Sequence, residues 1–105
     1  MPYHRPPDQR RPAERNISYL DYIRDQPCCI CGDDVHVEAA HVRSGWAEDD
    51  RDHTGGGRKP SDKWTLPLCG RHHREQHGKN EREWWASYGI DPLQLCLKYQ
   101  VKAAT

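Results

Sequence analysis

The chain has little with which to build a core. It contains no phenylalanine and one methionine, and only 34% of its 105 residues are hydrophobic. A domain of this size buries too small a fraction of its surface to be comfortably stable on apolar packing alone, and a metal commonly makes up the difference. No apolar run approaches the ~20 residues that cross a bilayer, which excludes a transmembrane helix. An excess charge of either sign is lacking too: 16 basic side chains balance 16 acidic ones. That balance argues against coating nucleic acid by bulk electrostatics, so any such binding must use a local patch. The polar Met-Pro-Tyr-His start has no apolar leader, and five cysteines is an odd number. Together these predict a reducing, cytoplasmic setting with thiolates on metal rather than in disulfides.

What is present is concentrated in Leu66-Pro-Leu-Cys-Gly-Arg-His-His-Arg-Glu-Gln-His77. On a helix His73 and His77 share one face, four residues apart, and can grip a single ion. His72 points about 100° away from His73 and falls with Cys69 as a Cys-x2-His pair. Upstream, Cys28-Cys-Ile-Cys31-Gly supplies a Cys-x2-Cys knuckle. Cys28, Cys31, Cys69 and His72 suffice for one closed tetrahedral zinc site; His73 in place of His72 is the alternative. Cys29 and Cys96 are left as packed or exposed thiols.

In chain order, residues 1–15 carry four Pro and four Arg and read as a disordered basic arm. Asn16 caps a short helix with Ile17, Leu20 and Ile23 on its apolar side, ended by Pro27. Val35-His-Val-Glu-Ala-Ala-His-Val42 alternates as a strand, with Val35, Val37, Ala39 and His41 on one face. Residues 46–61 turn acidic and then Gly-rich, the pattern of a loop without a phosphate-cradle motif. Trp64-Thr-Leu-Pro-Leu68 is a second strand, its proline placing it at an edge. After the histidine helix, which Gly78 ends or interrupts, Asn80 to Tyr88 forms another, closed by Gly89. Asp91-Pro92 opens the last. Trp84, Trp85, Ile90 and this last helix are expected to supply most of the apolar packing.

The order of these pieces resembles the HNH endonuclease superfamily: a Cys-x2-Cys knuckle, a strand ending in histidine, a loop, a strand and a metal helix. Leu68-Cys-Gly-Arg-His72-His73-Arg-Glu-Gln-His77 is similar to its Leu-Cys-x2-Cys-His-x3-His signature, with His72 replacing the second Cys. Glu38-Ala-Ala-His-Val-Arg43, Arg58-Lys-Pro-Ser-Asp62 and Trp84-Trp-Ala-Ser-Tyr-Gly-Ile-Asp91 further resemble a phage and prophage branch that includes recombination-enhancement (Ref-type) nucleases. The resemblance implies a small α+β, treble-clef-like ββα-metal domain over residues 16–105, with a C-terminal helical extension. It implies a structural Zn²⁺ and a catalytic divalent cation such as Mg²⁺ or Mn²⁺. DNA is then the substrate, and a recombinase filament or another phage protein a candidate partner in a bacterial or phage-infected cytoplasm.

Carried onto this chain, the resemblance makes His41 the general base and gives the catalytic ion to His73 and His77. The family's further ligand, in the position before the base, falls here on Ala40, which cannot ligate. Either the ion then has only His73 and His77 with water and phosphate, or another side chain completes it, with Asp62 the candidate and His41 itself the other. The family's central Asn falls near Trp64, so Asp62 or Thr65 inherits its task of steadying the base strand. Arg43, Arg58, Lys59, Arg71 and Arg74 surround the centre in sequence and are expected to contact the DNA backbone as positioning groups. A non-catalytic zinc module that binds nucleic acid or a protein is the competing reading.

Overall fold

The computed structural model of the chain describes residues 15–43, 61–78 and 80–105. Residues 1–14 of the expected arm (1–15) and most of the Gly-rich loop, with Arg58 and Lys59, lie outside the described residues. The architecture is α+β: α1 (Ile17–Arg24), β1 (Val37–His41), β2 (Thr65–Cys69), α2 (Gly70–Gly78), α3 (Glu81–Ser87) and α4 (Pro92–Ala104).

Three of the four helices begin where a side chain satisfies their first free amides, and α2 instead continues directly from β2. Asn16 accepts from Tyr19 N, Asn80 from Glu83 N, and Asp91 from Leu93 N and Gln94 N, with Pro92 preset in the first turn. Helix α1 stops at Arg24, three residues before Pro27. Helix α3 closes at Gly89, whose φ of +70° is a left-handed conformation that favours glycine.

The strands β1 and β2 form an antiparallel pair in the register Val37↔Cys69 to His41↔Thr65. Pro67 costs this ladder nothing. Its carbonyl faces away from β1 and accepts from Cys29 N at 2.9 Å, so the bond-forming edge of residue 67 is not the one toward Ala39. The strand nevertheless departs from the expected face pattern. Val35 lies before β1 and is exposed, whereas the fully buried member of β1 is Ala40, from the face expected to carry His36 and Glu38. Helices α1 and α2 both pack on β1, so a simple inside–outside alternation does not apply.

The core joins Ala40, Val42, Leu66 and Leu68 to Trp84, Trp85 and Cys96, and it includes two expected zinc ligands, Cys28 and Cys69. The indoles of Trp84 and Trp85 meet edge to face at 4.8 Å, a favoured geometry for aromatic pairs. Each indole N–H is satisfied, Trp84 by Glu75 and Trp85 by Glu81. Among the described residues no helix is long and apolar enough to cross a membrane.

Candidate metal centre and the histidine cluster

Two chain segments far apart in sequence meet at the first cluster. The knuckle turns because Gly32, at φ +79°, takes a left-handed conformation and donates its N–H to Cys28 O. Opposite it, β2 ends on Cys69 and runs directly into α2, whose first turn carries His72. The ligand atoms of Cys28, Cys31, Cys69 and His72 all lie within 4.8 Å of one another. His72 Nδ1 stands 3.2 Å from Cys69 Sγ and 3.7 Å from Cys28 Sγ, and the Cys31 and Cys69 sulfurs are 3.9 Å apart. Sulfur at ~2.3 Å and nitrogen at ~2.0 Å on a tetrahedral zinc would sit roughly 3.5–3.8 Å from each other, so the donor set fits the ion. His72, not His73, is the histidine of this set.

The thiols are differentiated electrostatically. Burial pushes the Cys28 thiol up, but N–H groups of Cys69, Cys31 and Ile30 directed at its sulfur outweigh that and lower it, which favours the thiolate. Cys29 is pushed up to about 12, chiefly by burial and then by the neighbouring Cys28 charge, and stays an inert packed thiol. Edge-on packing of Tyr88 against the His72 ring, 6.1 Å between centroids, covers the site from the side of α3.

On the same helix, His73 and His77 do face each other, Nε2 to Nε2 at 3.1 Å. Their remaining nitrogens are engaged. His73 Nδ1 lies 2.6 Å from Glu38 Oε1, and Arg43 Nη2 lies 2.6 Å from His77 Nδ1. A guanidinium has only donors. His77 Nδ1 therefore accepts, His77 Nε2–H donates to His73 Nε2, and His73 Nδ1–H donates to Glu38. His77 is held neutral by burial first, then by the Arg43 and His73 charges, all of which lower its pKa.

His41 occupies the end of β1. Its Nε2 is 2.9 Å from Asp62 Oδ1, and its carbonyl accepts from Gln76 of α2 at 3.0 Å. The same Gln76 amide donates to Glu81, which also accepts from Trp85 Nε1. Asp62 is buried. Its carboxylate accepts from the Asn16 N–H at 2.7 Å and from Arg15 at 3.3 Å as well as meeting His41. Burial pushes this carboxyl up, yet the Asn16 N–H, His41 and Arg15 together hold it below the usual carboxylate range.

Asp62, the candidate third ligand for an ion on His73 and His77, is engaged elsewhere. Its oxygens are turned to α1 and to His41, and among the described residues the only three-or-more-ligand cluster is the Cys₃His set. Ala40 is buried without access to ligand chemistry. Arg15, grouped by sequence with the arm, is part of the folded structure through Asp62. Of the expected DNA-contacting residues, Arg43, Arg71 and Arg74 are exposed. Glu38, Gln76 and Glu81 are the functional neighbours that sequence reasoning missed. Only Glu38 carried a signal, lying two residues before Ala40 and so on the same side of β1.

The fold and site define a small α+β domain stapled by a four-ligand cluster suited to zinc. The chain belongs to the family described as "Protein of unknown function (DUF968)", which matches residues 2–104. It is also similar to the "Uncharacterized protein YdfU" of Escherichia coli (strain K12), with 36% identity over 62 residues. That match covers 56% of this chain and 15% of the relative, so the chain spans a small part of the relative's length. No solved structure matches the chain.

Proposed function

We propose that this chain is a metal-dependent endonuclease of the HNH, ββα-metal type that hydrolyses DNA phosphodiesters, in phage or prophage DNA processing or recombination. The observation that carries the reading is the pair of Nε2 atoms of His73 and His77 at 3.1 Å. That is the separation of adjacent ligands on an octahedral ion with bonds near 2.1 Å, roughly 3 Å. The pair sits on the helix that also closes the zinc cluster, behind a strand ending in His41. A divalent cation bound there supplies charge stabilisation for the phosphorane and the leaving oxygen.

The chain's own residues do the rest. Cys28, Cys31, Cys69 and His72 fix the start of α2 against β2 through zinc. Glu38 holds the proton of His73 on Nδ1 and leaves its Nε2 free to ligate, the arrangement common behind metal-bound histidines. For His77 to ligate, Arg43 must leave Nδ1, which then takes the proton from Nε2. The freed guanidinium is positioned for a phosphate, as are Arg71 and Arg74 on the exposed side of α2, with Arg58 and Lys59 proposed alongside them. His41 accepts the proton of the attacking water.

A second reading has an observation of its own. Ala40 provides no ligand, and Arg43 sits on His77 in a closed hydrogen-bonded chain, which suits a non-catalytic zinc module that binds nucleic acid or a protein. Plasmid cleavage with Mn²⁺ or Mg²⁺, against a chelator control and the His41→Ala protein, separates the two. The endonuclease reading expects metal-dependent cleavage that the variant loses; the module reading expects binding with no cleavage.

A further inference from the structure

We propose that Asp62 is the positioning residue for His41: its buried carboxylate keeps the imidazole proton on Nε2 and so makes Nδ1 the atom that accepts a proton from water. The role rests on the endonuclease reading, but the geometry behind it stands by itself. The Asp62 side chain is 4% exposed and lies 2.9 Å from His41 Nε2. It cannot swing away, because Asn16 N–H holds Oδ2 at 2.7 Å and the Thr65 hydroxyl donates to the Asp62 carbonyl at 2.8 Å. Arg15 approaches Oδ1 at 3.3 Å and, with Asn16, keeps the group ionised. An ionised carboxylate only accepts, so Nε2 must carry the hydrogen and a neutral ring has its lone pair on Nδ1. The His41 backbone is fixed as well, opposite Thr65 in the sheet register and held by Gln76 on its carbonyl.

In the step that follows, a water O–H bond breaks and Nδ1–H forms. The oxygen's electron pair makes the new bond to phosphorus, the ester P–O bond breaks, and the leaving oxygen takes a proton from solvent. The imidazolium keeps Nε2–H on Asp62, which stabilises the charge it has gained, and then returns the Nδ1 proton to solvent. Asp62 also ties this step to the start of α1 through Arg15 and Asn16.

The test combines nitrogen NMR on the zinc-loaded full chain with cleavage by variants. In the parent protein the His41 ring should show the protonated, pyrrole-type signal at Nε2 and the pyridine-type signal at Nδ1. Asp62→Asn should lose that single tautomer and cleave more slowly, by up to about 10²–10⁴-fold, no more than His41→Ala costs. Zinc content and Mn²⁺ affinity should be unchanged. In the His41→Ala background Asp62→Asn should cost nothing further, since it acts only through the ring. A parent His41 protonated on Nδ1 overturns the proposal and needs no variant. So does an Asp62→Asn protein that cleaves at the parent rate, or that slows His41→Ala again. Absence of cleavage by the parent with the expected tautomer present overturns instead the endonuclease reading, and with it the use of this pair for proton transfer.

Discussion

Arg43 Nη2 lies 2.6 Å from His77 Nδ1, so a permanent cation occupies the histidine that a metal would need. Both cannot use His77 at once, because a guanidinium donor on Nδ1 forces the proton onto Nε2. Arg43→Ala should therefore bind Mn²⁺ more tightly, by up to about fivefold, the scale of an exposed charge interaction of about 1 kcal/mol. If Arg43 also contacts phosphate, the same variant loses cleavage at saturating metal. Calorimetry of the zinc-loaded variant checks the first effect, and unchanged or weaker Mn²⁺ binding contradicts it.

Ion binding should depend on His73 and His77 while the fold does not. His73→Ala and His77→Ala are each expected to abolish measurable Mn²⁺ binding and to retain one zinc and the parent melting transition, because only His72 belongs to the Cys₃His set. Imidazole pairs favour ions such as Ni²⁺ or Fe²⁺ over Mg²⁺, so Ni²⁺ should bind the parent more tightly than Mg²⁺. Release of zinc by either variant contradicts the division of ligands.

The zinc cluster should carry the stability of the domain, since two of its sulfurs are core residues and metal-binding free energy here is folding free energy. The purified chain is expected to hold one zinc per molecule. Cys31→Ser should lose it and melt without a cooperative transition, although Cys31 itself is exposed. Elemental analysis with calorimetry decides the point, and a native transition in zinc-free protein contradicts it.

Asp62 should also mark the acid limb of stability. Its folded pKa lies below the ordinary 3.8, so its interactions stabilise fully above about pH 4 and are lost as pH falls through the folded value. Acid also releases zinc by protonating the ligands, equally in parent and variant. The stability difference between the parent and Asp62→Asn should therefore be largest above about pH 5 and shrink below pH 4. Denaturant titrations at pH 7 and at about pH 3.5 measure it; a difference that grows in acid contradicts the assignment.

Local chemistry made much of this molecule legible. The Cys-x2-Cys-Gly turn, the Cys-x2-His pair and the caps at Asn16 and Asp91 each depend on residues within four positions of one another, and each appears as expected. The i, i+4 register of His73 and His77 is equally local. The burial of Ala40, in contrast, belongs to a strand on which both α1 and α2 pack, which no strand periodicity encodes. Asp62 was visible as a carboxylate near the centre, but its partner depends on where α1 begins, 46 residues away in sequence. Glu38 and Arg43 met His73 and His77 only once β1 was laid beside α2, so spacing along the chain offered no reason to pair them.

The central claim is chemical, and one experiment meets it directly: supercoiled plasmid incubated with the zinc-loaded chain, with and without added Mn²⁺, beside His41→Ala. Strand cleavage should occur in the parent, require the added ion, and fall about 10²–10⁴-fold in the variant while Mn²⁺ affinity holds. Intact plasmid under all conditions, or equal cleavage by parent and variant, would contradict it.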